Sequence, residues 1–270
     1  ICHLLPEVKL PDNIFVSNDM EEVLKESELV LLVVPSDKAG IALDRAHQFI
    51  QEQPVMICSK GFGNDLKLLS QVVQEKVKGK VYCLYGPTHA EEVCKGMFSG
   101  IVLAGPDGQE LKKEIENQDL RVDFTEDIVG VQVAAALKNI LAVFIGVLDG
   151  LGLGDNAKAY VMTKGLAEIR QVGLKWGAQA ETFSGLAGMG DLIVTCTSQH
   201  SRNRHAGEQV GKGRQLDEVL KEMKMVAEGV NLLGEVPALK EKFDLELPLI
   251  SGLYRIMFEE ANPTEVLKQI

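Results

Sequence analysis

Lys138 is the residue whose setting most constrains its chemistry. From Val133 to Leu148 every residue except Lys138 and Asn139 is apolar or glycine. A run with no polar face reads as a helix buried all round. It is shorter than the roughly 18 to 20 residues of a membrane span and carries a charge near its middle, so a core helix is expected. A lysine there either snorkels its head to the rim or sits in a cleft. In a cleft, desolvation and any neighbouring cation lower its pKa towards the range useful for proton transfer. Asn139 follows about 100° further round the helix. Two polar groups in one sector of a buried helix favour the cleft.

Three further groups could share it. Ser59-Lys60-Gly61 follows an apolar strand directly, where an open α/β sheet binds ligands. The bland alternative is a surface lysine. Gly86-Pro87-Thr88-His89-Ala90-Glu91 is a turn with small residues and free N–H groups, suited to a ligand or simply to joining a strand to a helix. Ser201-Arg202-Asn203-Arg204-His205 pairs a helix-capping serine with a planar guanidinium, a design for holding phosphate. Its alternative is a solvated basic turn. Gly185–Asp191, GLAGMGD, lacks the spacing and context of a dinucleotide loop. Its glycines are expected to permit close packing while Asp191 faces the cleft. Two lysines, an aspartate and an arginine-bearing anion site imply a ligand with phosphate at one end and a group exchanging a proton at the other.

These residues need a scaffold. Leu29–Val34, Pro54–Gly61, Val81–Pro87 and Gly100–Gly105 are short apolar runs, and 121–126 reads as a last strand. Strands apolar throughout suit a mostly parallel sheet covered on both faces. Lys38–Gln53 and Leu66–Lys78 read as the crossover helices, and Ile14 is expected in a further short strand. Strand signals stop at Asp127. After the buried helix comes a glycine-rich turn with Asp155 expected to cap a helix over Asn156–Trp176. Three or four more helices follow the basic turn. The fold class is therefore α/β plus all-α. A doubly wound, mostly parallel nucleotide-binding sheet, incomplete at its start, occupies 1–126, and an all-helical substrate and catalytic domain occupies 127–270.

Composition narrows the partners. A net charge of −11 supplies no basic field for nucleic acid or a membrane surface, so an anionic ligand must be held locally. Five cysteines, an odd number with no C-x-x-C pair, suggest neither a zinc site nor a disulfide framework, and the histidines form no metal cluster. A cytoplasmic setting is expected. The chain opens without Met, on ICHLLPEVKLP, as if in mid-loop.

The ordered motifs LPDNI, VVPS, SKG, GPTHA-E, DIVGVQ, ALKN, DGLGLGDNAKA, GLAEI, GLAGMGDLIVTCTS, SRNR and EGV resemble bacterial-type NAD(P)-dependent glycerol-3-phosphate dehydrogenase across essentially the whole chain. The resemblance implies reversible hydride transfer between NAD or NADP and a three-carbon phosphate, interconverting dihydroxyacetone phosphate and sn-glycerol 3-phosphate. It implies Lys138 as proton donor or acceptor, with Lys60, Gly86, Thr88, Asp191, Ser201, Arg202 and Asn203 at the substrate. Lys60, Ala90, Arg202, Val226 and Glu228 match positions near the cofactor. Thr88 stands where the family often has serine and keeps the hydroxyl. A homodimer without membrane insertion is expected. The family's G-x-G-x-x-G loop has no counterpart here and is expected upstream of Ile1, which would leave Leu29–Val34 with an open apolar edge. Alternatives are a hydroxyacid or 6-phosphogluconate type dehydrogenase, which would lack the SRNR and GLAGMGDL motifs, and a non-catalytic nucleotide-binding protein.

Overall fold

The computed structural model describes residues 8–198, 201–223 and 227–270. In the first half, strands β1 (Val30–Leu32), β2 (Val55–Ile57), β3 (Val81–Tyr85), β4 (Ser99–Ala104) and β5 (Leu120–Thr125) alternate with helices α1 (Met20–Leu24), α2 (Ala39–Ala46), α3 (Leu69–Gln74), α4 (Ala90–Val93) and α5 (Gln109–Ile115). They form one sheet in the order β1-β2-β3-β4-β5. The reason β2 is apolar throughout is visible in its packing. Val55 and Ile57 point into a core with Leu43, Leu69 and Val73, while Met56 points to the opposite face with Tyr82, Leu103 and Val122.

The β3–β4 pair is antiparallel, and all the others are parallel. The connection between β3 and β4 holds only the four-residue α4. One helical turn, about 6 Å long, cannot carry the chain back along a strand, so β4 returns beside β3. β1 is a sheet edge among the described residues, and its Leu31 and neighbouring Val33 are 54% and 68% exposed. The strand expected at Ile14 is absent. Ile14 N instead bonds Pro11 O at 3.1 Å, closing a turn just ahead of the Asp19-capped α1.

Helix α6 (Ile128–Gly150) begins where the sheet ends, and every residue from Gly130 to Leu148 is buried. Its 23 residues are long and apolar enough to cross a membrane, so length, contrary to expectation, does not distinguish it from a membrane span. Burial decides the matter instead, because 89% of its most apolar stretch lies inside the protein. Asp127 caps it, accepting from Gly130 N at 2.8 Å, and also accepts from Gln179 N and the Thr182 hydroxyl. One carboxylate thereby fixes both the start of α6 and the loop that follows α7 (Asp155–Lys175).

Asp155 is not the cap of α7. Gly154 holds that position, and the Asp155 side chain is solvent-exposed in the first turn. A short π-helical turn at Leu186–Gly190 leads into α8 (Asp191–Thr197). The basic turn itself opens α9 (Arg202–Gly211), and five helices follow it among the described residues, rather than three or four: α10 (Leu216–Glu222), α11 (Glu228–Gly234), α12 (Val236–Phe243), α13 (Pro248–Phe258) and α14 (Pro263–Leu267). The breaks are local. α12 ends at left-handed Asp244, and prolines open α13 and α14, where a missing N–H costs nothing.

Two packing features position the site. α6 and α9 cross at backbone contact through Gly146, Gly150, Gly207 and Gly211. A Cβ on Gly207 would lie 1.9 Å from Val143 O, and one on Gly146 would lie 1.9 Å from Arg204 O. The two halves also exchange side chains. Val131 and Ala135 of α6 pack into the sheet's core, whereas Phe62, Leu66 and Leu68 pack into the helical one.

Candidate active site

Lys138 lies in the buried span of α6 and is 5% exposed. Its ammonium has partners: Nζ donates to Asp191 Oδ1 at 2.8 Å and to the Thr195 hydroxyl. Thr195 donates in turn to the Asp191 backbone carbonyl at 2.7 Å, one turn back along α8. Lys60 Nζ reaches the other carboxylate oxygen, Asp191 Oδ2, at 2.9 Å and donates to Gly86 O at 3.0 Å. One carboxylate, 2% exposed, therefore joins two ammoniums. The cluster keeps a net positive charge, as an anionic ligand requires.

Each partner is placed by local structure. Asp191 follows the π-helical turn, which needs Gly188 because a Cβ there would lie 2.3 Å from Phe183 O. Lys60 follows a pinned strand end. The Ser59 hydroxyl donates to Leu32 O and accepts from Val34 N, and Tyr85 OH donates to Ser59 O at 2.7 Å. Gly86 is pressed against β4, where a Cβ would meet Ile101 Cα at 2.9 Å. Burial, and then the charge of Lys60, bring the Lys138 pKa down to about 8, with Asp191 partly opposing them. A lysine tuned in this way exchanges protons near neutral pH.

The remaining predicted residues stand as follows. Ser201 caps α9, its hydroxyl accepting from Arg204 N at 3.3 Å. Arg202 opens that helix, is exposed, and forms no ion pair with the described residues. Asn203 Oδ1 accepts from Gly229 N at 2.9 Å, tying α9 to α11. Glu228 opens α11. Burial pushes its carboxyl up, opposed by the charges of Arg202, Lys138 and Lys60 and reinforced by that of Asp37. The hydroxyl of Thr88 donates to Gly86 O at 3.4 Å. Ala90 is the exposed first residue of α4 and touches none of the Lys60–Asp191–Lys138 group. Val226 lies outside the described residues. Asn139 is buried beside Lys138 in α6, and its backbone carbonyl lies against Gly229.

Sequence reasoning missed two participants. Thr195 stands four residues after Asp191, and that helical spacing was the available signal. Arg204, the second arginine of SRNR, is structural. It pairs with Asp149 at 2.5 Å and donates to Thr197 O and Ser198 O, beside a cavity of about 250 Å³ lined by Asp149, Ser201, Arg204, His205 and Glu208.

Comparison with known proteins identifies the family. The family model described as NAD-dependent glycerol-3-phosphate dehydrogenase N-terminus matches residues 2–111, and its C-terminus counterpart matches residues 127–268. A glycerol-3-phosphate dehydrogenase [NAD(P)+] of Salinibacter ruber is 39% identical over 278 residues, covering 98% of this chain and 81% of the relative. One from Clostridium perfringens is 40% identical over 265 residues, covering 96% and 80%. The crystal structure of glycerol-3-phosphate dehydrogenase from Coxiella burnetii superposes with a TM-score of 0.90 at 32% identity, covering 98% of this chain and 83% of that one. With both halves matched, and with the paired lysines on a sheet-plus-helix scaffold that superposes throughout, this chain belongs to the NAD(P)-dependent glycerol-3-phosphate dehydrogenase family.

Proposed function

We propose that the chain interconverts dihydroxyacetone phosphate and sn-glycerol 3-phosphate with NAD or NADP, supplying the backbone precursor of phospholipids, and that Lys138 is the general acid and base. The observation that carries this reading is the single carboxylate shared by Lys138 and Lys60. Asp191 fixes both ammoniums against one spot, so a substrate oxygen entering there meets a proton donor and a second cation. Lys138 gives a proton to the C2 oxygen on reduction and takes it back on oxidation. Lys60 polarises that oxygen, and Thr195 orients Lys138. Arg202, Ser201 and Asn203 at the start of α9 hold the phosphate, where N–H groups and a guanidinium favour an anion. Gly86 and Thr88 line the substrate's other side.

The residues present suit a dinucleotide. His89 Nε2, at the carboxyl end of the sheet beside Ala90, is buried without a hydrogen-bond partner, and Arg202 lacks an ion-pair partner among the described residues. Lys60, Ala90, Arg202, Val226 and Glu228 would hold the cofactor. When bound, its nicotinamide supplies or receives the hydride. We further place the domain division between Glu126 and Asp127, and a homodimer in the cytoplasm, without membrane insertion, as the working form. Sedimentation tests the dimer. A substrate panel tests the activity. Turnover of dihydroxyacetone phosphate with NADH or NADPH, but not of hydroxyacids or 6-phosphogluconate, supports it, and the reverse preference overturns it.

A further inference from the structure

The loop that carries Lys60 does not stay with the sheet it leaves. Phe62 forms an isolated antiparallel bridge with Leu68, and Gly63 N bonds Lys67 O at 2.9 Å, so the segment closes on itself. Its apolar side chains, Phe62, Leu66 and Leu68, are buried in the core of the helical half. Asp65 and Leu66 are both left-handed, at φ 57° and 53°, a conformation that non-glycine residues keep only when their surroundings hold it.

The surroundings that hold it come from far along the chain. Lys242 Nζ of α12 donates to Leu66 O at 3.2 Å. The same ammonium lies 4.7 Å from the centre of the Trp176 ring and 5.5 Å from that of Phe243, within cation–π range. Trp176 packs against Phe62 on one side, with ring centres 5.2 Å apart, and against Phe243 on the other at 4.8 Å. Between Phe62 and Lys60 there is no slack. Gly61, at φ 146°, passes so close to Ser36 that a Cβ would lie 2.4 Å from its hydroxyl.

We propose that Phe62, Trp176 and Lys242 form a latch between the two halves, and that these positioning residues hold the Lys60 ammonium against Asp191 and the substrate oxygen. The inference rests on the substrate role given to Lys60 above. It does not make the latch residues catalytic, because none of them touches the lysine–aspartate cluster.

Lys242→Met is the main test, because Lys242 is exposed and its loss should not unfold the chain. In Lys242→Met, kcat for dihydroxyacetone phosphate should fall about threefold to tenfold, with the KM for NADH nearly unchanged. Lys242→Arg, which keeps the cation, should restore most of that loss. Phe62→Leu, apolar but unable to stack, should fall with Lys242→Met. Unchanged kcat and substrate KM in Lys242→Met overturn the latch, whatever happens to the melting temperature. An equal loss in Lys242→Met and Lys242→Arg also overturns it. Failure of the functional reading is separable, because it would appear as absent wild-type turnover. In that case Trp176, the sole tryptophan, reports directly. Lys60→Ala should alter its acrylamide quenching if the loop is one mechanical unit, and identical quenching overturns the latch.

Discussion

Replacing Gly207 with alanine tests how tightly α9, the helix proposed to hold the phosphate, is fixed to the helix of Lys138. The new Cβ would lie 1.9 Å from Val143 O, 2.9 Å from Val143 C and 3.0 Å from Val147 N. All three are backbone atoms, so no rotamer change relieves the clash. To reach ordinary contact, α6 and α9 must part by about 1.5 Å. Overpacking of a core costs about 1 to 3 kcal/mol where side chains can adjust, and the upper end applies here. Alanine's helix preference returns about 0.5 to 1 kcal/mol. The net loss is about 2 kcal/mol, and the melting temperature should fall by about 4 to 8 °C. Catalysis should suffer more than stability, because Arg202 and Asn203 move with α9 while Lys138 stays on α6. A shift of about 1 Å in a positioning group costs on the order of 10²-fold in rate. The assay pairs thermal denaturation followed by circular dichroism with kcat/KM for dihydroxyacetone phosphate. Gly40→Ala in α2 is the control, since nothing lies within 4 Å of its Cβ position. Gly207→Ala that melts and turns over like the control would refute the argument that this crossing positions the site.

Arg202→Ala should lower kcat/KM for dihydroxyacetone phosphate by about 2 to 4 kcal/mol, and that for unphosphorylated dihydroxyacetone by much less, since only the cofactor contact of Arg202 bears on both. Equal losses on both substrates would mean that Arg202 does not read the phosphate. Glu168→Ala removes the acceptor of Leu249 N at 2.7 Å and Ile250 N at 3.0 Å at the start of α13. Stability should fall by about 2 to 4 kcal/mol in urea denaturation with kcat unchanged, and a variant of wild-type stability would contradict this. Iodoacetamide at pH 8 should label exposed Cys94 and spare Cys196, whose thiol burial pushes up to about 12. Mass mapping reads both, and faster labelling of Cys196 would show that the helical core is open.

Much of the site was legible because its chemistry is tied to local signals. Lys138 stood out as a charge inside an apolar helix, Lys60 as a residue just past an all-apolar strand, and Asp191 as an acid behind a glycine turn. Ser201 was legible as a cap from its position before a helix. What escaped depends on partners distant in sequence. The glycines of the α6–α9 crossing are spaced four apart in each helix, but nothing local says that the two pairs face each other. Phe62 and Leu66 looked like parts of the sheet half, yet the core they enter is otherwise built almost wholly from residues between Val133 and Val266. Thr195 is an ordinary helical threonine until Lys138 is placed over it. The Ile14 strand failed because β-pairing depends on a neighbour, and the Asp155 cap failed by one residue because Gly154 offers the same extended backbone.

The pH dependence of both reaction directions tests the central claim most directly. With the Lys138 pKa lowered to about 8, the protonated form that reduction needs prevails below that pH and is lost above it. Oxidation needs the neutral form, so its kcat/KM should climb through the same pH at which that of reduction declines. Lys138→Met keeps the apolar stem and should remove both limbs together with about 10² to 10⁴ of the rate, while NADH affinity by fluorescence titration changes little. The account predicts mirror-image limbs near pH 8 that vanish in Lys138→Met. Limbs that bend the same way in both directions, or that persist unchanged in the variant, would contradict it.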